Sequence, residues 1–506
     1  MSESEKFGQL CALVKETAYL KSTLASLEWD QQTYMPVGAG AFRAEQITFL
    51  AGEIHRRETD QRVGDLLGEL SSSDLAADNQ SDSGATITGL KREYDKKIKL
   101  PESLVKAQAK ASAIGQQVWI DARKNDDFKS FEPNLNEIFN LKKEQAEAVG
   151  YEECPYDALL DDFEPHAKTS EVAAALEGLR QELVPLVAAI SESSSRPDTS
   201  VLKRNYPTEA QRRFGREASE KIGFDYTRGR LDVTHHPFCT ELGPGDVRIT
   251  TRFDESFFNT SFFGTLHEAG HGIYEQGLRT DFYGLPPGAF CSLGIHESQS
   301  RLWENLVGRS EGFWNFFYTR AVEIFPGALA DVQQHDFYKA INNVQPSLIR
   351  VEADEATYDL HIIIRFQIEQ AIINGELEIA DLPGAWNEKY EQYLGITPPD
   401  DANGCLQDIH WSAGLVGYFP TYSLGNLHAS QMYEAAEKEL GNLQGMFSDG
   451  NFSPLRKWLN ENVHQRGQTL TAQQLGEKVS GTKLSQEALM RHLNDKLAPI
   501  YALSPI

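Results

Sequence analysis

Apolar residues recur every three or four positions along most of the chain, and this spacing predicts amphipathic α-helices. It is clear over residues 7–24, and four later segments repeat it: 135–148, 171–190, 313–325 and 431–443. Two serine-rich stretches, 71–86 and 191–200, interrupt the spacing, and we expect them to be exposed loops between helices. The pattern therefore predicts a mainly α fold.

One part of the chain departs from the helical spacing. Residues 230–240 and 246–253 have the character of extended strands, and alternate residues from Val247 to Phe253 are apolar or β-branched. The Gly-Pro-Gly sequence at 243–245 predicts a turn between them. We therefore expect a small β-sheet. Its edge could pair with an extended peptide, or the hairpin could only cap neighbouring helices.

The helix expected after these strands carries the most informative motif, which runs from His267 through Glu268 to His271. Positions i and i+4 lie on one face of an α-helix, so two imidazoles can share one metal ion. Glu268 lies between them and can take a proton from a water on that metal. Apolar residues flank the motif, and Gly264, Gly270 and Gly272 suit a helix that a backbone or a metal approaches closely. The motif predicts metal-dependent peptide hydrolysis.

A catalytic zinc usually has three protein ligands and one open position. The acidic candidates that follow the motif are Glu275, Asp281, Glu297 and Glu304. Glu275 lies one turn beyond His271 on the same helix and cannot easily wrap round the metal. Glu297 follows a glycine- and proline-rich turn and opens a second helical run to Val307, from which its carboxylate can reach the metal. Glu297 is therefore the predicted third ligand.

Composition narrows the class of protein. The chain has 506 residues, of which 40% are hydrophobic and 24% are charged, as expected of a globular protein. A net charge of −26 repels phosphate, so we expect neither nucleic acid nor a membrane surface as partner. The N-terminus lacks the features of a secretory signal, and five widely spaced cysteines indicate reduced thiols. These features favour a cytoplasmic protein.

Six motifs occur in the order found in a known family, most densely between residues 230 and 425. They are His236-Pro237-Phe238, Asp246-Val247-Arg248-Ile249-Thr250, His267-Glu268-Ala269-Gly270-His271, His296-Glu297-Ser298-Gln299, Ile349-Arg350-Val351-Glu352-Ala353-Asp354 and Gly404-Cys405-Leu406-Gln407-Asp408-Ile409-His410-Trp411. Through them the sequence strongly resembles the carboxypeptidase Taq family, the thermostable metallocarboxypeptidases of the gluzincin type. The resemblance spans most of the chain and is weaker in the serine-rich loops and the last 60 residues.

The resemblance implies a large multi-helix gluzincin-type fold with a deep central groove and a small β-sheet beside the metal helix. It implies one metallocarboxypeptidase domain over residues 1–506, with two subdomains flanking the groove as an option. It further implies a homodimer that releases single residues, with broad side-chain preference, from peptides with a free C-terminus. Mapped onto this chain, it makes His267, His271 and Glu297 the ligands of zinc, with cobalt possible, and Glu268 the base.

The oxyanion that forms during hydrolysis needs a hydrogen-bond donor besides the metal. Tyr422 and His410 are the candidates because each follows a turn in a glycine-rich part of the chain. A core tyrosine with a satisfied hydroxyl is the alternative for Tyr422. Metal-bound imidazoles usually donate their second N–H to an acceptor such as a carboxylate, for which Asp354, Glu352 and Asp408 are candidates.

A carboxypeptidase must also recognise a free carboxylate, which suits the two-pronged guanidinium of arginine. Arg350 is the best candidate. On a long helix predicted over residues 349–373 it shares one polar side with Asp354 and later polar residues. An internal salt bridge between Arg350 and Asp354 is the alternative. Arg248 is the competing anchor, and His236 is a candidate for touching substrate or orienting a ligand.

Two other functions use the same features. A metallo-endopeptidase or oligopeptidase uses the same zinc chemistry but does not depend on the substrate's free carboxylate. A helical peptide-binding protein with a structural metal carries out no turnover. The preferred C-terminal side chain and the physiological substrates do not follow from the sequence.

Overall fold

The computed structural model describes residues 1–503 and is mainly α-helical, as predicted. Its first nine helices precede a small sheet. They are α1 Glu3–Thr33, α2 Gly40–Glu58, α3 Gln61–Leu70, α4 Asp82–Lys99, α5 Glu102–Asn125, α6 Phe128–Val149, α7 Pro155–Leu160, α8 Thr169–Glu192 and α9 Thr208–Ile222. Within the described residues, no helix is long and apolar enough to cross a membrane.

Twelve α-helices follow the sheet in the described part of the chain. They are α10 Phe258–Gly277, α11 Leu293–Arg301, α12 Glu311–Ile324, α13 Pro326–Leu329, α14 Gln334–Ile341, α15 Tyr358–Ile373, α16 Leu382–Leu394, α17 Pro420–Leu440, α18 Leu443–Ser448, α19 Ser453–Asn462, α20 Ala472–Ser480 and α21 Glu487–Tyr501. A π-helix, Leu302–Val307, continues directly from α11.

The sheet has three strands: β1 Gly229–Val233, β2 Cys239–Gly243 and β3 Asp246–Thr251. β3 lies in the centre, parallel to β1 and antiparallel to β2. The Gly-Pro-Gly turn is confirmed between β2 and β3. The single strand expected over 230–240 is instead two strands, because Pro237 has no N–H for a ladder. β1 and β2 are the edges, and the pairing of an edge with peptide stays a prediction.

The first of two compact units comprises Met1–Ile98, Asp198–Ile341 and Gln431–Thr482. It contains the sheet, α10 and α11. Aromatic rings from four helices fill part of its core, with ring centroids 4.7 to 6.4 Å apart: Phe214, Phe258, Phe262, Trp314 and Phe337. Because α10 supplies two of these rings, its orientation is fixed by apolar packing.

The second compact unit comprises Lys99–Pro197, Asn342–Ser430 and residues from 483 onward. Its core forms where α8, α15 and α16 pack against one another. Fully buried aliphatic side chains of α8 and α15 supply much of it: Leu179, Leu183, Leu186, Ile362, Ile364 and Ile368.

The serine-rich stretches show where the predicted loops were right and wrong. Helix α8 ends at Glu192, so a loop over most of 191–200 is confirmed apart from a short 3₁₀ turn that begins at Ser200. The loop expected over 71–86 is wrong at its end, since α4 begins at Asp82. The Ser81 hydroxyl accepts a hydrogen bond from the Gly84 N–H at 3.1 Å. This serine therefore caps a helix instead of extending a loop.

The long helix predicted over residues 349–373 is also wrong at its start. Residues Arg350–Glu352 form a single 3₁₀ turn, and α15 begins only at Tyr358. Asp354 accepts hydrogen bonds from the N–H groups of Ala356 and Thr357, each at 3.0 Å. A side chain that binds its own backbone in this way competes with helix formation. Arg350 and Asp354 therefore do not lie on the face of α15.

Candidate metal centre

Helices α10 and α11 bring His267, His271 and Glu297 together. Glu297 Oε2 lies 3.8 Å from His267 Nε2 and 3.4 Å from His271 Nε2, and the three candidate ligand atoms all lie within 4.8 Å of one another. A tetrahedral metal with bonds of about 2.1 Å places its ligand atoms about 3.4 Å apart. This donor set therefore fits a divalent cation with a position left for a further ligand.

Gly270 allows the two helices to approach this closely. A Cβ atom at this position would lie 2.6 Å from both the Gln299 carbonyl oxygen and Ser300 Cα on α11. Any larger residue at position 270 would push α11 away. The expected close approach of a backbone is therefore confirmed at Gly270. It is wrong at Gly264, where a Cβ atom would meet only Thr251 Oγ1 at 4.0 Å, and at Gly272 the neighbour is the Phe224 ring at 2.5 Å.

Both imidazoles are oriented through their Nδ1 atoms. His267 Nδ1 lies 2.9 Å from Glu304 Oε2, and His271 Nδ1 lies 3.0 Å from the His296 carbonyl oxygen. These acceptors favour a proton on Nδ1 and leave the Nε2 atom of each ring facing Glu297.

The acceptors of the imidazole N–H groups differ from those predicted. Asp354, Glu352 and Asp408 were the expected carboxylates, and that expectation is wrong. Glu304 lies in the π-helix, seven residues after Glu297 and so on the same side of the helical run. That spacing is the signal in the sequence that could have identified it. The acceptor for His271 is a backbone carbonyl, which no residue pattern reveals.

Glu268 lies beside this group and is only 6% exposed. Burial raises the pKa of its carboxyl group. The positive charge of His267 opposes this effect, the negative charge of Glu297 adds to it, and the pKa reaches about 7. A carboxyl group with a pKa near 7 can both accept and release a proton at neutral pH.

Arg301 pairs with both carboxylates that contact the imidazoles, Glu297 and Glu304. Burial raises the pKa of Glu297 and of Glu304, but the charge of Arg301 and the contacts with the imidazoles together outweigh burial and hold both pKa values below their usual range. Burial lowers the pKa of His267, whereas Glu297 and Glu304 together raise it to about 9. A cation that binds here must therefore replace a proton on His267.

The second compact unit holds a group of polar residues around Arg350, which is 5% exposed. Its Nε and Nη2 donate to Asp408 Oδ1 at 3.1 and 2.8 Å, and its Nη1 donates to the Tyr358 hydroxyl at 3.1 Å. Arg365 donates to the other oxygen of Asp408 at 2.7 Å. The carboxylate paired with Arg350 is therefore Asp408, and not Asp354 as in the alternative interpretation.

His410 and Tyr422 lie against the same arginine. His410 Nε2 is 3.3 Å from the Tyr422 hydroxyl, and the Tyr422 ring centroid is 5.2 Å from Arg350 Cζ. Burial lowers the pKa of His410 to about 4, so its ring is neutral at pH 7. Three of the residues predicted to act on substrate thus come together within one unit.

The other two candidate substrate residues lie in the first unit. Arg248, on β3, donates to both oxygens of Asp246 at 2.9 and 2.8 Å, and its guanidinium lies 4.2 Å from the Trp29 ring centroid. Its side chain is 20% exposed. His236 is exposed in the connection between β1 and β2. Sequence reasoning did not identify the stacking of Trp29 on Arg248, because 219 positions separate the two residues.

Comparisons with known proteins find matches over nearly the whole chain. The family model described as carboxypeptidase Taq (M32) metallopeptidase matches residues 9–497. Thermostable carboxypeptidase 1 of Thermus thermophilus is 45% identical, over 99% of this chain and 100% of its own. Carboxypeptidase 1 of Bacillus subtilis is 38% identical, over 97% and 98% of the two chains. The crystal structure of the M32 carboxypeptidase from Deinococcus radiodurans R1 superposes with a TM-score of 0.95, at 38% identity, over 99% and 100% of the two chains.

Proposed function

Since the chain belongs to the carboxypeptidase Taq (M32) metallopeptidase family and is a metal-dependent carboxypeptidase that hydrolyses peptides, we propose that His267, His271 and Glu297 bind its metal. The observation that carries this proposal is the convergence of two Nε2 atoms and Glu297 Oε2 within 4.8 Å of one another. The product released is a single residue from a free C-terminus, with broad side-chain preference.

We assign the proton transfers to Glu268. When bound, a divalent cation supplies a Lewis acid and lowers the pKa of a coordinated water to about 7. The Glu268 carboxylate accepts a proton as the attacking water loses it, and the resulting carboxylic acid delivers it to the leaving amine. Its buried position and its pKa of about 7 support both steps.

Arg350 is the proposed anchor for the substrate carboxylate. Arginine has five N–H donors, and Asp408 and Tyr358 occupy three of those on Arg350. Two donors remain for a carboxylate, and Asp408 holds the guanidinium plane in one orientation. Arg248 is the second candidate anchor, and His236 a further substrate contact.

Tyr422 and His410 are the proposed donors to the oxyanion. Their hydrogen bond of 3.3 Å supports a shared role, because a neutral imidazole can orient a phenol hydroxyl. Loss of one such donor typically costs about 3 kcal/mol, or roughly 100-fold in rate.

Zinc is the proposed metal, and cobalt is the alternative because two imidazoles and one carboxylate suit both. We further propose that the enzyme is cytoplasmic and a homodimer, on the basis of its family resemblance and composition. A single catalytic domain over residues 1–506 is proposed on the same basis, and its last three residues lie outside the described part of the chain.

Metal analysis combined with product masses tests this function. We expect purified enzyme to hold one zinc ion per chain and to shorten a free-acid peptide one residue at a time. An amidated copy of the same peptide should stay intact, whereas an endopeptidase would cut both. Glu268→Gln should retain the metal and lose roughly 100- to 10,000-fold in turnover. Loss of the metal in Glu268→Gln, or unchanged turnover, would contradict the proposal.

A further inference from the structure

Arg301 contacts two carboxylates that serve different parts of the candidate metal centre. Its Nε donates to Glu297 Oε1 at 2.7 Å, and its Nη1 donates to Glu304 Oε2 at 3.2 Å. Glu297 is a proposed ligand, and Glu304 accepts the N–H of the proposed ligand His267 at 2.9 Å. One guanidinium therefore contacts the proposed ligand Glu297 directly and the proposed ligand His267 through Glu304.

The contact with Arg301 gives the two carboxylate oxygens of Glu297 different partners. Oε1 is occupied by Arg301, whereas Oε2 is the atom that lies 3.4 and 3.8 Å from the two imidazole Nε2 atoms. The Ser300 hydroxyl lies 3.2 Å from Oε2 but only 2.7 Å from the Glu297 carbonyl oxygen. The arrangement therefore favours binding of a metal through Oε2 alone.

The helical spacing explains why one arginine can contact both Glu297 and Glu304. Positions four and seven residues after Glu297 lie near it on one side of a helix. Arg301 is the last residue of α11, and Glu304 follows within the π-helix. The three side chains are at most 13% exposed, so water competes little for their hydrogen bonds.

We propose that Arg301 is a positioning residue for the metal centre: it holds Glu297 to one-oxygen binding and holds Glu304 against His267. This inference rests on the proposed metal ligands and deepens the proposed function. Arg301 touches neither substrate nor reacting atoms and acts only through the two glutamates.

Arg309 provides a matched control. Its Nη2 lies 3.8 Å from Glu304 Oε1, and its guanidinium packs 3.7 Å from the Phe263 ring centroid. Its Nε also donates to Asn305 Oδ1 at 3.1 Å, and its Nη1 donates to the Ile341 carbonyl oxygen at 2.5 Å. A lysine at either position keeps the positive charge but cannot span two carboxylates with a planar fork. Arg301→Lys loses the fork that joins Glu297 to Glu304, whereas Arg309→Lys loses a planar guanidinium that contacts Glu304 on its other oxygen. The control therefore tests whether loss of any arginine beside Glu304 weakens metal binding.

The test uses the full-length enzyme with cobalt as the metal. Chelator competition measures the dissociation constant, and the visible absorption of cobalt reports coordination number, since extra ligands weaken it. We expect Arg301→Lys to bind cobalt about 10- to 100-fold more weakly, as for other residues that orient ligands. Its absorption should weaken as Glu297 binds through both oxygens. Arg309→Lys should keep the parental affinity and spectrum.

Two further outcomes distinguish failure of the proposed ligand set from failure of the proposed role of Arg301. If the parent enzyme binds cobalt but His267→Ala binds it equally well, the proposed ligand set fails. If the parent behaves as proposed and Arg301→Lys matches Arg309→Lys in affinity and spectrum, only the role of Arg301 is overturned.

A second variant covers the case in which Arg301→Lys does not fold. Glu304→Gln keeps an oxygen that can accept from His267 but removes the charge that Arg301 shares. We expect weaker cobalt binding with an unchanged spectrum, because Arg301 still holds Glu297. Unchanged affinity in Glu304→Gln would likewise overturn the inference.

Discussion

Gly270→Ala should disturb the metal centre by forcing α10 and α11 apart. The added methyl group would lie 2.6 Å from the Gln299 carbonyl oxygen and from Ser300 Cα. Contacts of a Cβ atom rarely fall below 3.4 Å, so the two backbones must separate by about 0.8 Å. Both obstructing atoms are helical backbone, and no flexible side chain can absorb the shift.

Most of this shift should reach the ligands. His271 follows Gly270 directly, and Glu297 lies two residues before Gln299. A misplacement near 1 Å costs on the order of 100-fold in rate, so kcat/KM should fall roughly 10- to 100-fold. Overpacking costs about 1–3 kcal/mol, and the better helix propensity of alanine returns about 1 kcal/mol. The net loss of stability should therefore be at most about 2 kcal/mol.

The control is Gly264→Ala on the same helix. A Cβ at position 264 meets only the Thr251 Oγ1 atom, at 4.0 Å. This variant should keep parental kcat/KM and gain up to about 1 kcal/mol from helix propensity. Steady-state hydrolysis of a free-acid peptide measures kcat/KM, chelator competition measures metal affinity, and thermal unfolding measures stability. Equal kcat/KM in the two variants would refute the argument from helix approach.

Three further predictions concern the second unit. Arg350→Lys should raise KM for free-acid peptides about 10- to 100-fold with a smaller change in kcat. An unchanged KM would indicate that Arg248, and not Arg350, binds the substrate carboxylate. Asp408→Asn leaves the charges of Arg350 and Arg365 uncompensated, and urea unfolding should show a loss of about 3–5 kcal/mol; a loss below 1 kcal/mol would contradict this. Burial raises the pKa of Glu369 to about 7 despite three hydrogen-bond donors, so the folded state binds its proton more tightly than the unfolded state. The bound proton of Glu369 therefore adds up to about 3 kcal/mol to the free energy of unfolding, in full below pH 4.5, and this contribution is lost as pH rises through 7. Urea unfolding of Glu369→Gln at several pH values should lack this pH-dependent contribution. A pH profile identical to that of the parent enzyme would disprove it.

The convergence of the three candidate ligands could be predicted from the sequence because helical geometry determines it locally. The spacing of His267 and His271 fixes both imidazoles on one face, and a glycine- and proline-rich turn returns the chain as a second helix carrying Glu297. Three glycines on this helix indicate a close approach, but the sequence does not distinguish Gly270 from Gly264 and Gly272 as the position that α11 contacts. These inferences need only one helix and its immediate successor.

Other features depend on side chains that bind their own backbone or distant residues. Asp354 captures two N–H groups and ends the predicted helix before Tyr358, so a spacing argument across that point fails. Ser81 caps α4 where its composition suggested a loop. Glu304 was one of four acidic candidates in the sequence, but its contact with His267 depends on how α10 packs against the π-helix.

The most direct test of the central claim is a crystal structure of the zinc-loaded enzyme with anomalous diffraction at the zinc edge. We expect one strong peak within about 2.0–2.2 Å of His267 Nε2, His271 Nε2 and Glu297 Oε2, with a non-protein ligand completing the site. A peak away from these three atoms, or a metal enclosed by four protein ligands, would contradict the account.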